Sequence, residues 1–205
     1  VLMRNSIYLF FIFLIQVSVA YGQSGGSVMV IGGQGAAVDC YRNATMAVQL
    51  KSADVRDTER CTYALDNVAL SLRDKAATHI NRGVILSTAE QYNEALNDYD
   101  TALSIMPNLG VAHLNRGNIL FITREFDGAI EQYSLALEKE SQGGHIVYLN
   151  RGMAYENSGR PTQAHADYTT TLELRPEWSL ATEKMDRLLR RNPQLTQADS
   201  ADPAD

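Results

Sequence analysis

The sequence predicts an all-α protein: an α-solenoid of antiparallel helix pairs with three repeats, an N-terminal capping hairpin and a C-terminal capping helix. Three observations predict it. The triplet Asn-Arg-Gly recurs as Asn81-Arg82-Gly83, Asn115-Arg116-Gly117 and Asn150-Arg151-Gly152, so the glycines step by 34 and then 35 positions. Other residues keep the same step: Ala95, Ala129 and Ala164; Tyr99, Tyr133 and Tyr168; Leu103, Leu137 and Leu172. Apolar residues between these markers fall at helical spacing, as in Tyr92, Ala95, Leu96, Tyr99, Ala102, Leu103 and Met106. A period of this length signals stacked supersecondary units, each burying an apolar face it cannot cover alone.

The first 20 residues read as a signal peptide. Met3-Arg4-Asn5 is a short positive start, residues 7–15 are unbroken apolar, and Ser18-Val19-Ala20 offers small residues where a signal peptidase cuts. A membrane span needs ~20 apolar residues, and this run is shorter. An uncleaved anchor and a buried helix are the alternatives. No cysteine directly follows, which argues against a lipid anchor there. Val1-Leu2 ahead of Met3 suits a GTG start codon and hence a bacterial gene. The expectation is a periplasmic or secreted protein without a membrane span after cleavage.

Residues 21–35 form a Gly/Ser-rich linker containing Gly25-Gly26 and Gly32-Gly33-Gln34-Gly35. A phosphate loop would end in Lys-Ser/Thr after a strand, and neither is present. Residues 36–76 read as a degenerate helical hairpin, with helices over 36–50 and 58–72. Cys40 lies on the first and Cys61 on the second. An even cysteine count in an exported chain points to a disulfide. Closing 21 residues stabilises by roughly 3 kcal/mol. A pair of free core thiols is the alternative, and no His or further Cys stands at metal-ligand spacing.

The repeats cover 77–109, 110–144 and 145–176, closed by Pro107 and Pro176 in the first and third, with one extra residue in 141–144. Cap and breaker residues mark the turns: Asn93, Asp127, and Asn157-Ser158-Gly159 with Pro161. A capping helix over 177–191 places Trp178, Ala181, Met185, Leu188 and Leu189 on one stripe. Glu183, Lys184, Asp186, Arg187, Arg190 and Arg191 take the other side. Asn192-Pro193 stops it. Residues 192–205 are poor in large apolar residues and read as a disordered tail.

This pattern resembles the tetratricopeptide repeat. Gly83, Gly117 and Gly152 match its small residue at the helix crossing. Ala95, Ala129 and Ala164 match the small residue of its second helix, and Tyr99, Tyr133 and Tyr168 the bulky aromatic. Ala102 and Ala136 match the small residue near that helix's end. His79, His113 and Tyr148 stand where the family has Trp. The resemblance covers about residues 77–176 and implies a concave groove lined by the first helix of each unit, with a protein or peptide as partner. On that face fall Ile80, Asn81, Val84, Leu114, Asn115, Asn118, Leu149, Asn150 and Met153. Asn81, Asn115 and Asn150 form a row whose amides offer donor and acceptor together. Some members of the family are similar in gripping peptide main chain with an asparagine ladder. The alternative is a structural row, solvated or bonded between helices. Other members bind free C-termini through a Lys/Asn/Arg clamp. Ile80 and Val84 stand where its Lys and first Asn would be, and only Asn115 matches, so that mode is not expected.

Arg82, Arg116 and Arg151 are expected to pair with Asp98, Gln132 and Asp167 on the second helices, with acidic-ligand binding as the alternative. His79 and His113 lie one unit apart, too far for one metal. Net charge is −6 and no basic stripe appears, which excludes a nucleic-acid partner. No nucleophile, acid–base or cofactor motif is visible, so neither enzyme activity nor a cofactor is expected. The sequence reads as an exported protein-interaction module, monomeric alone, binding a polypeptide in its groove. A structural subunit of an envelope or secretion assembly, docking through its outer faces, is the rival.

Overall fold

The computed structural model describes Met29, residues 35–139 and residues 144–198. The expected signal, most of the linker, the insertion near 141 and the end of the tail lie outside the described residues. The elements in chain order are α1 (Ala36–Leu50), a single 3-10 turn (Val55–Thr58), α2 (Glu59–Asn67), α3 (Leu72–Thr88), α4 (Tyr92–Ile105), α5 (Gly110–Ile122), α6 (Phe126–Lys139), α7 (His145–Asn157), α8 (Pro161–Leu174), α9 (Ser179–Arg191) and a last turn, α10 (Leu195–Ala198). No strand occurs among the described residues. The all-α solenoid is therefore the observed architecture: α3/α4, α5/α6 and α7/α8 pack as pairs, and each pair passes its open face to the next helix.

One joint is repeated three times. The tyrosine of each second helix packs into the notch left by the glycine of the first. A Cβ on Gly83 would sit 2.5 Å from Tyr99 Cε1, on Gly117 2.6 Å from Tyr133 Cε1, and on Gly152 2.7 Å from Tyr168 Cε1. Any side chain there would force the pair apart. The three tyrosines are almost completely buried, and desolvation raises the pKa of each hydroxyl.

The turn inside each unit is also repeated. Glu90, Arg124 and Gly159 have positive φ (61°, 67° and 75°) at equivalent positions. In each turn the next residue donates back to the first helix: Gln91 N–H to Leu86 C=O (2.8 Å), Glu125 N–H to Leu120 C=O (2.8 Å), Arg160 N–H to Tyr155 C=O (2.9 Å). This is the left-handed C-terminal cap that satisfies orphan carbonyls. Only the third unit fills it with glycine.

The N-terminal hairpin is present, with different bounds. α2 ends at Asn67, because Val68 is extended (φ −113°, ψ 134°) and Ser71 starts the next helix. The Ser71 hydroxyl accepts from Asp74 N–H (3.1 Å) and donates to the Asp74 carboxylate (2.8 Å). That cap begins α3 at Leu72, ahead of the expected repeat start at 77, and adds Ala76 and Ala77 to the buried set. The Cys40–Cys61 disulfide is formed, with Cα atoms 4.7 Å apart. It packs with Ala44, Ala47, Val84 and Ile85.

At the other end, α9 covers the third unit through Ala181 and Leu188, with Trp178, Met185 and Leu189 beside them. Glu156 holds it there, accepting from Tyr168 Oη (2.9 Å) and from Arg187 Nη2 (2.9 Å). Lys184 does not share the polar side of α9: it is 2% exposed. It lies three residues after Ala181 and four before Leu188, which puts it on their stripe, and desolvation lowers its pKa. The tail begins with structure as well, since Leu195 is buried in the same cluster.

Candidate polypeptide-binding face

The first helices α3, α5 and α7 carry the Asn-Arg-Gly triplets, and the two polar residues of each triplet have separate environments. The arginines turn toward the second helices. Arg82 donates through Nε and Nη2 to both oxygens of Asp98 (2.8 Å each), and Arg151 does the same to Asp167 (2.8 Å each). The carboxylates raise the pKa of both guanidiniums against desolvation. Each arginine also ties its unit to the preceding one, Arg82 Nη1 to Thr62 Oγ1 (3.2 Å) and Arg151 Nη1 to Ser134 Oγ (3.1 Å). Arg151 further lies 5.6 Å and 5.8 Å from the ring centroids of Tyr148 and Tyr155.

The middle unit departs from this. Gln132 replaces the aspartate and bonds His113 (3.0 Å). Arg116 instead reaches Asp100 of the first unit (3.0 Å), and its buried Nε has no hydrogen-bond partner. Arginine pairing within the unit thus holds for Asp98 and Asp167, while Gln132 does not take its arginine. A neutral amide offers one acceptor oxygen where a carboxylate offers two.

His79, which stands where the repeat family has Trp, bonds Asp98 (2.8 Å). His79, Arg82 and Asp98 line an open pocket of about 370 Å³ with Thr58, Thr62, Leu86, Glu94, Asn97 and Thr101. Both Asp98 oxygens already accept from His79 and Arg82, so this constellation is a saturated tie between helices. No group of residues able to hold a metal occurs among the described residues.

The asparagines turn the other way. Asn81, Asn115 and Asn150 are 0%, 1% and 2% exposed. Asn81 holds the main chain of Met29: Met29 N–H donates to Asn81 Oδ1 (2.8 Å) and Asn81 Nδ2 donates to Met29 C=O (2.9 Å). Asn150 Nδ2 donates to Asn118 Oδ1 (3.0 Å), which also accepts from Tyr133 Oη (3.0 Å). Asn150 Oδ1 is buried without a hydrogen-bond partner.

The other expected face residues are buried too. Ile80 joins the first-unit core, Leu114 the second, Leu149 and Met153 the third. Val84 lies beneath the disulfide. The residue that sequence reasoning missed is Met29. It stands in a segment that reads as linker, and a main-chain contact leaves no side-chain signature.

The class that this fold defines is the tetratricopeptide-type helical-repeat solenoid. Residues 146–177 match the family model described as "Tetratricopeptide repeat". Solved structures of that fold align over most of the chain. A MamA RS-1 double mutant aligns at TM-score 0.62 and 13% identity, covering 83% of this chain and 92% of that one. YrrB, described as "a TPR protein with an unusual peptide-binding site", aligns at 0.59 and 21%, covering 70% and 71%. The first such domain of Spaghetti (RPAP3), bound to the HSP90 peptide SRMEEVD, aligns at 0.54 and 23%, covering 66% and 100%. No curated protein matches the chain. These comparisons show the tetratricopeptide-type fold, with the repeat model itself matching over residues 146–177.

Proposed function

We propose that this chain is an exported interaction module that holds an extended polypeptide on the inner face of α3, α5 and α7. The observation that carries this reading is the paired bond between Asn81 and the Met29 main chain. An asparagine amide that meets N–H and C=O of one residue acts as the edge of a β-strand does, with affinity from the backbone and little demand on sequence. Two solved neighbours are described by their peptide sites or ligands, which fits this use of the fold. Binding of the HSP90-peptide type is not proposed, because Ile80 and Val84 are apolar and fully buried.

The test is affinity capture from a periplasmic or secreted extract, with crosslinks mapped by mass spectrometry. Wild type is compared with a variant carrying Asn81→Ala, Asn115→Ala and Asn150→Ala, after circular dichroism shows both folded. A partner crosslinked to α3 and α5 by wild type and lost by the variant supports the reading. A partner retained by the variant assigns binding to the outer faces. That second reading, a subunit docked in an envelope or secretion assembly, has its own observation. Among the described residues, large exposed apolar side chains concentrate in 46–72, including Leu50 (68%), Tyr63 (55%) and Leu72 (70%).

A further inference from the structure

We infer that Met29 is a tethered self-ligand: in the free protein its main chain occupies the Asn81 position of the asparagine row, and a polypeptide partner must displace it. The inference rests on the proposed reading of the inner face as a polypeptide site, and it adds the regulation of that site.

The contact has the form of recognition. Met29 and Asn81 are 52 positions apart, and both polar groups of the Met29 backbone are taken by one side-chain amide. The Met29 side chain is seated as well. It packs against the first-unit core that contains Ala76, Ile80 and Ala112, and against the cluster of Ala37, Ala64 and Ala77. It therefore fills the seam between the N-terminal hairpin and the first repeat. Asn81 is fully covered with this occupant in place, so an incoming chain cannot use it while Met29 remains.

The row is not saturated further along. Asn150 Oδ1 is buried with no donor, and a buried acceptor left without a hydrogen bond is unfavourable. A main-chain N–H is the donor that a polypeptide on this row would bring. The self-contact thus satisfies the first position, while in the third unit Asn150 Oδ1 stays buried without a donor.

Tethering sets the scale. Met29 lies only a few positions ahead of Ala36, where α1 begins, and a ligand joined through so short a stretch of chain competes at an effective concentration in the mM range. A free peptide competing for Asn81 must approach that concentration before it displaces Met29.

Two measurements on the full chain test this. The first is amide hydrogen exchange at Met29. The inference expects protection of at least about 100-fold over an open chain in wild type, lost in Asn81→Ala. Exchange at the open-chain rate in wild type overturns it. The second is titration with a doubly blocked peptide of residues 27–31, followed by fluorescence anisotropy. Met29→Pro removes the N–H donor and should bind this peptide about tenfold more tightly than wild type, while Met29→Pro with Asn81→Ala should not bind. Equal binding by wild type and Met29→Pro, abolished in both by Asn81→Ala, overturns the self-ligand and leaves the polypeptide face standing. A protected Met29 with no peptide binding by any variant overturns both, and makes Met29 a structural plug.

Discussion

The N-terminal hairpin and the three repeats solve the same problem, holding two helices together, by different chemistry. In a repeat the joint is an aromatic ring in a glycine notch, with Tyr99, Tyr133 or Tyr168 against Gly83, Gly117 or Gly152. In the hairpin, the buried residues of α1 and α2 are alanines and cysteines alone: Ala37, Cys40, Ala44, Ala47, Cys61 and Ala64. Such small side chains bury little apolar area each. The covalent bond between Cys40 and Cys61 supplies what packing does not, and the hairpin gains further cover by lying along α3. The difference teaches that a repeat is held by a shape that can be copied along the chain. A unit that is not copied along the chain can drop that shape if a bond replaces it.

The largest effect should come from removing the ring. Tyr133→Ala in the central unit is expected to lower stability by about 3–5 kcal/mol, as for other buried aromatic truncations, read from the urea midpoint. It should melt the α5/α6 pair, which both neighbouring units need. A loss of under 1 kcal/mol would show that the notch, and not the ring, sets the geometry.

Next is the staple. Replacing Cys40 and Cys61 together by Ala is expected to cost about 3 kcal/mol in the hairpin. Most far-UV helicity should survive, because α3 to α9 keep their own joints. Hydrogen exchange should then show α1 and α2 opening ahead of the repeats. Simultaneous opening of hairpin and repeats would show that the staple stabilises the whole stack.

The smallest effect sharpens a contrast among the repeats themselves. Glu90 sits in the left-handed region with φ 61°, a conformation unfavourable for L-residues by about 1–2 kcal/mol. Glu90→Gly should raise stability by about 0.5 kcal/mol once the extra chain entropy of glycine is subtracted. The reciprocal Gly159→Ala should lower it. Thermal melts of both variants check the pair, and the same sign for both would contradict the turn equivalence.

Much of this architecture was legible in the chain. The triplets, the tyrosine row and the alanine row located three hairpins, because a notch and a ring must recur at one spacing for units to stack. The arginine pairs with Asp98 and Asp167 could be read from charge and helix placement. The end of α2, the early start of α3 and the burial of Lys184 could not. Each depends on a local cap or a neighbouring face that periodicity does not encode.

The candidate face divides along the same line. By itself the sequence determined that Asn81, Asn115 and Asn150 lie in register on successive first helices, since register follows from the repeat step. Only the tertiary structure decided what each amide meets: Met29 main chain for Asn81 and Asn118 for Asn150, with Asn150 Oδ1 left open. The physical reason is that an amide bonds to backbone as readily as to side chains. Its partner is therefore chosen by where the rest of the chain is packed, and not by residue type.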